Sequence, residues 1–208
     1  MKPNPQAPAL ALASLLPAAA SAQGAGAAAR PAVIYTQFEP RPANTWTEPS
    51  AAVGSVAYNE WLGHMFNGVL CNTKDAAEQR RIAERIVDVD YIQHNRLVEH
   101  GRAGLLKFMP NFFQAMPDAK FHVHDVFATP TRVVTRWTAT GTLTGPGFLG
   151  AEPKAQRVEF DGIDIWTVRN GRLYEHWDQF DWPRVFVQLG VRDLPAPFYG
   201  VASQPYSR

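Results

Sequence analysis

The chain has 208 residues, 46% hydrophobic and 12% aromatic, enough for one well-cored domain and hardly for two. A formal net charge of +1, with no Lys/Arg cluster, gives no electrostatic footprint for nucleic acid. The single cysteine, Cys71, excludes an internal disulfide framework and, lying in an apolar helical run, reads as a buried structural thiol.

The N-terminus differs in composition from the rest. Residues 8–20 are an apolar stretch too short to span a bilayer, with Lys2 before it and the small-residue pattern Ala20-Ser21-Ala22 at its end. This predicts a secretory signal peptide over residues 1–22, cleaved after Ala22, and a periplasmic or secreted mature protein. An alanine-rich leader without a targeting role is the alternative. Residues 23–54 continue as a Gly/Ala-rich linker and an arm that Pro40, Pro42 and Pro49 keep extended.

A single domain is expected over residues 55–191. Residues 56–70 carry Tyr58, Trp61, Leu62, Met65, Phe66 and Val69 at amphipathic-helix spacing, with Ser55 as N-cap. A second helix is predicted over residues 75–87, with Ile82, Ile86 and Val87 inward, and residues 88–95 as the turn that closes it. A third covers residues 104–116, with an apolar stripe of Leu105, Phe108, Met109, Phe112 and Phe113, stopped at Pro117-Asp118.

Beyond Asp118 the apolar period becomes two, predicting strands over residues 120–128, 131–141, 157–169 and 172–182. A short helix follows, ending near Gly190, and residues 192–208, with Pro195, Pro197 and Pro205, read as an irregular arm. Helices first and a meandering antiparallel sheet afterwards imply an α+β layout. No predicted segment is long enough to cross a membrane.

Asn170-Gly171 is the strongest short-range hairpin signal in the chain. A two-residue turn there sets Asp164 opposite Trp177 and Phe160 opposite Asp181. Phe160, Gly162, Asp164, Trp166, Leu173, Glu175, Trp177, Gln179 and Asp181 then share one face. Two tryptophans, a phenylalanine and three carboxylates suit the wall of a pocket better than a solvated face or a plain core. Asp161 and Asp178 fall on the opposite, solvated face, as does His176 unless a β-bulge intervenes.

The run GIDIW, a short NGR turn, EHWDQFD and QLG resembles the C-terminal signature of SnoaL-like polyketide cyclases, also called ester cyclases, of the nuclear transport factor 2-like superfamily. The likeness extends upstream through YIQHN, MPDAKFHVHDVFA and RVVTRWTATGTLTG, and covers roughly residues 58–191. It implies a cone-shaped, curved antiparallel sheet packed with about three N-terminal helices around a deep pocket. It also implies a homodimer paired through the outer sheet face, and chemistry without cofactor or metal.

The resemblance puts the family's acid/base aspartate, in its W-x-x-x-D element, at Asp181, and a pocket-mouth histidine at His94. A carboxyl beside Trp177 and Phe160 would lose hydration and rise in pKa, as a proton shuttle requires. Asp181 also precedes Trp182-Pro183 and reads equally as a helix N-cap. Asp164 is expected to bind substrate, to orient a partner, or to pair with Arg136. Arg136, Gln179 or His94 would steady an oxyanion, and Phe160, Trp166 and Trp177 would enclose the substrate. His122 and His124 read as a surface pair, because their spacing matches no zinc motif.

The expected activity is that of a cofactor-independent cyclase or isomerase acting on a small apolar or aromatic carbonyl compound. A non-catalytic ligand-binding module is one alternative. An epoxide hydrolase or dehydratase built on Asp181, Arg136 and Asp164 is another.

Overall fold

A computed structural model describes residues 48–146 and 148–192, all within one compact unit, so the predicted signal peptide, most of the linker and the C-terminal arm lie outside the described residues. Helix α1 (Val56–Gly63) starts where the Ser55 side chain accepts the Tyr58 N–H, filling one of the orphan donors of a helix start. It runs on into a π-helical turn (His64–Val69) and a 3₁₀ turn (Leu70–Asn72). Asp75 caps helix α2 (Ala76–Ile86) in the same way, and α3 (Gly101–Ala115) carries Pro110 within it. Helix α4 (Trp182–Leu189) follows the sheet and ends at Gly190, which holds φ 67°.

Five strands form one mixed, unclosed sheet in the order β1-β5-β4-β3-β2. They are β1 (Val87–Gln93), β2 (Lys120–Ala128), β3 (Arg132–Leu143), β4 (Gln156–Arg169) and β5 (Arg172–Phe180). The four expected strands are present and pair antiparallel, β2 with β3, β3 with β4 and β4 with β5. The expected turn over residues 88–95 is instead mostly strand β1, which pairs parallel to β5 and makes the sheet mixed rather than antiparallel.

Asn170 and Gly171 both hold positive φ, 51° and 70°, as the predicted tight turn requires. The register beyond that turn differs from expectation. Thr167 pairs with Glu175 but Val168 pairs with Leu173, which leaves Tyr174 as an extra residue in β5. This β-bulge flips every later side chain of β5 to the other face. Asp164 therefore faces Asp178 rather than Trp177, and Gly162 faces Phe180. His176, Asp178 and Phe180 point inward with Asp164; Glu175, Trp177 and Gln179 point outward.

The core lies between the inner sheet face and the helices, with Trp137, Trp166, Tyr58, Tyr91 and Leu62 among its fully buried side chains. Gly162 sits opposite Trp137, and a Cβ there would lie 2.3 Å from the indole ring. Gly162→Ala should therefore destabilise the fold by about 1–3 kcal/mol, as overpacking does, measured by urea unfolding. A loss under about 0.5 kcal/mol, the range of a neutral surface substitution, would show that the indole gives way freely.

Candidate active site

The curved sheet and the helices enclose a pocket of about 680 Å³, open mouth included. Nine aromatic side chains line it, among them Phe66, Phe112, Phe121, Trp137, Phe160 and Phe180. Its polar groups are Asn67, Gln93, Asn95, Asp164, His176 and Asp178, together with the Cys71 thiol. Asn67 comes from the π-helical turn, Gln93 from the end of β1 and Asn95 from the loop just after it, Asp164 from β4, and His176 and Asp178 from β5. A π-helical turn of this kind often marks a functional site.

Asp164 is 2% exposed, and its Oδ2 accepts two hydrogen bonds, from Asn67 Nδ2 at 2.7 Å and Trp137 Nε1 at 2.8 Å. Asn67 is fixed in turn by the Thr135 hydroxyl, which donates to its Oδ1 at 2.6 Å. Bonds to a buried carboxylate are charge-assisted and offset part of its lost hydration.

His176 is 4% exposed and stacks against Trp166 (ring centroids 4.8 Å apart) and Tyr91 (5.9 Å). Its Nδ1 lies 2.9 Å from Gln93 Oε1, and the same oxygen accepts the Asn95 backbone N–H at 2.9 Å. A backbone N–H can only donate, so that atom is the amide oxygen and the imidazole must donate to it from Nδ1. The other ring nitrogen, Nε2, lies 3.3 Å from Asp164 Oδ1 but has no aligned hydrogen-bond partner among the described residues.

Asp178 Oδ2 accepts from Asn95 Nδ2 at 2.6 Å, and the Leu97 N–H, donating to Asn95 Oδ1 at 2.8 Å, fixes that amide's orientation. Burial pushes the Asp178 carboxyl above its ordinary value. The Asp164 charge acts in the same direction, and His176 and the Asn95 bond oppose it. Burial also raises the Cys71 thiol and the Tyr91 hydroxyl well above their ordinary values, so neither supplies an anion at neutral pH.

Of the residues singled out from sequence, Phe160 and Asp164 line the pocket. Trp166 lies just behind it, stacked on His176 and donating from Nε1 to the Tyr91 hydroxyl at 2.9 Å. The others are elsewhere, chiefly because of the bulge. Trp177 is on the outer face, stacked on His94 at 4.8 Å with the Arg132 guanidinium over its ring, and Gln179 is exposed on that face. His94 is exposed and lies 3.0 Å from Glu175, away from the pocket lining.

Arg136 pairs with Asp125 on the outer face, not with Asp164, so the Asp–Arg–Asp set of an epoxide hydrolase is not assembled. Asp181 is exposed and caps α4, its Oδ1 accepting the Arg184 N–H at 3.2 Å; it does not line the pocket. Asp178, expected on the solvated face, takes the inward position. Asn67, Gln93 and Asn95 were missed as well. Asn67 carried a signal as an amide inside the apolar run MFNGVL, whereas Gln93 and Asn95 stand among the polar neighbours of YIQHNR and carried none.

The raised Asp178 carboxyl fixes a sign. The folded protein holds this proton more tightly than the unfolded chain, where the ordinary value is 3.8. The stabilising contribution is therefore full below that value and is lost as pH rises through the higher folded-state value. Asparagine does not titrate and can still accept from Asn95. Asp178→Asn should then melt above wild type at neutral pH, and the gap should close below about pH 4. Equal melting temperatures at neutral pH would show that burial does not strain this carboxylate.

The sequence matches the family model described as SnoaL-like polyketide cyclase over residues 69–189. No curated protein sequence matches the chain. Solved structures do. TsrD from Streptomyces laurentii is 25% identical with a TM-score of 0.58, covering 65% of this chain and 96% of its own. AclR, a putative hydroxylase from Streptomyces galilaeus, is 26% identical with a TM-score of 0.54, covering 65% and 98%. A putative SnoaL-like polyketide cyclase from Jannaschia sp. CCS1 is 19% identical with a TM-score of 0.56, covering 71% and 100%, a likeness of fold. With more than half its length matched by the family model, and with a nuclear transport factor 2-like fold around an aromatic pocket, the chain belongs to the SnoaL-like polyketide cyclase family.

Proposed function

We propose that the protein is a cofactor-independent cyclase or isomerase in which Asp178, rather than Asp181, moves the proton. The observation that carries this reading is a carboxyl inside an aromatic pocket, raised by burial and aimed by the Asn95 amide. A carboxylate whose pKa is raised is a stronger base, suited to removing an acidic proton next to a carbonyl.

The step balances without a co-reactant. Asp178 takes a C–H proton from the carbon beside a carbonyl and leaves an enolate. The enolate carbon attacks a second carbonyl of the same molecule and forms the C–C bond. The alkoxide that results takes the proton back from Asp178. The second amide proton of Asn95 is a donor for the developing oxyanion. The aromatic walls suit a planar, apolar substrate and keep water from the enolate.

Export and pairing belong to the same reading. The apolar leader ending in Ala20-Ser21-Ala22 supports cleavage after Ala22. Phe127, Ile163 and Ile165 are exposed and turn outward from the sheet, which supports a two-fold pair through that face. The product recovered outside the cytoplasm should have an intact mass beginning at Gln23 and a light-scattering mass of two chains. A product that starts at Met1, or that scatters as one chain, would remove the corresponding half of this reading.

A screen of polycyclic and polyketide-like carbonyl compounds for binding, followed by turnover of whatever binds, tests the chemistry. Asp178→Asn should lower turnover by about 10²–10⁴-fold with little change in affinity. Asp181→Asn should leave both near wild type, since asparagine caps a helix about as well as aspartate. Binding that survives with no turnover in wild type would instead indicate a ligand carrier.

A further inference from the structure

The pocket floor brings together one ligand atom each from Asp164, His176 and Asp178, all within 4.8 Å of one another. We propose that these three side chains form a binding site for a single divalent transition-metal ion of the zinc type, with its fourth position open to the aromatic pocket.

Three observations carry this. First, His176 Nδ1 must donate to Gln93 Oε1, so Nε2 is the ring nitrogen left for another partner. That nitrogen is buried with no aligned hydrogen-bond partner among the described residues, and it lies against an acceptor, Asp164 Oδ1. A cation between the two atoms, a proton or a metal ion, satisfies both.

Second, their separation is 3.3 Å. Zinc–nitrogen and zinc–oxygen bonds of about 2.0–2.2 Å at the tetrahedral angle place neighbouring ligand atoms about 3.3 Å apart. The pair already has the bite of such a site, and the third ligand atom, on Asp178, lies within 4.8 Å of both.

Third, each ligand has an outer partner. Gln93 holds the imidazole, Asn67 and Trp137 hold Asp164 through Oδ2, and Asn95 holds Asp178 through Oδ2. These bonds leave one oxygen of each carboxylate for a metal, the arrangement that orients ligands in established sites. One imidazole and two carboxylates favour zinc over magnesium or calcium, which need more oxygen ligands.

The inference stands apart from the proton-transfer reading, because binding is measured without substrate. Where both hold, the ion takes the Asp178 lone pair from the substrate, and zinc inhibits turnover.

The test uses the tag-free protein stripped with a chelator. Zinc is titrated by calorimetry and by competition with a chromophoric chelator, and cobalt(II) is added separately to read the ligand-field spectrum. One zinc per chain is expected, with the visible bands of four-coordinate cobalt. His176→Gln and Asp178→Asn should each weaken binding by more than the roughly 10–100-fold typical of losing an outer partner. The double variant His122→Ala/His124→Ala should bind as wild type. If His176→Gln fails to fold, Asp178→Asn and the cobalt spectrum of wild type still decide. No binding tighter than millimolar overturns the proposal, as does binding kept by Asp178→Asn but lost with the surface histidines.

Discussion

A carboxylate at the bottom of an apolar cavity constrains much of what surrounds it. Asp164 is almost fully buried, and an unpaired buried charge would cost more than most single contacts supply. Its two donors come from opposite layers, Asn67 from the helical side and Trp137 from β3. The first is held by Thr135 on β3, so one polar knot ties the π-helical turn to the middle of the sheet. Removing Asp164 or Asn67 leaves a buried partner without its bond, so the knot specifies how the two layers seat against each other.

The Tyr174 bulge is the second constraint, and it follows from what each face can hold. Without it, Trp177 and Glu175 would point into the pocket, and His176 would have no access to Asp164 or Gln93. With it, Trp177 finds His94 and Arg132 on the outer face, and the Tyr174 ring takes the Arg169 guanidinium at 3.6 Å from its centroid. His176 then enters a slot between Trp166 and Tyr91. One inserted residue thus sorts the hairpin into an acid-bearing inner wall and a cationic, aromatic outer wall.

The helices, four of the strands and the hairpin turn were legible in the sequence because each rests on a local rule: a cap, an amphipathic stripe, an Asn-Gly pair. Strand β1 was not. Its segment alternates Val and Asp, yet Val89 is 63% exposed while Asp88 is buried and paired with Arg169, so the usual pattern misreports its faces. The parity of β5 was equally hidden. Either register places one large aromatic inward, Trp177 or Phe180, and hydrophobic alternation cannot choose between them. What chooses is a set of long-range partners, Gln93, Asn95 and Asp164, which no pattern within the strand reveals.

Asp178 and Asp181 are three residues apart, and the fold gives them opposite requirements. A helix cap needs an oxygen held against a backbone N–H at the helix end, where α4 leaves Asp181 exposed. There its Oδ1 holds the Arg184 N–H and touches none of the pocket groups. Asp178 has lost water on the inner wall and faces a like charge from Asp164, which the Asn95 amide and a backbone N–H offset only in part. Those conditions weaken its hold on the charged state and strengthen its hold on a proton. Of the two carboxylates, the one that is a burden to the folded state is the one chemically equipped to take a proton from carbon.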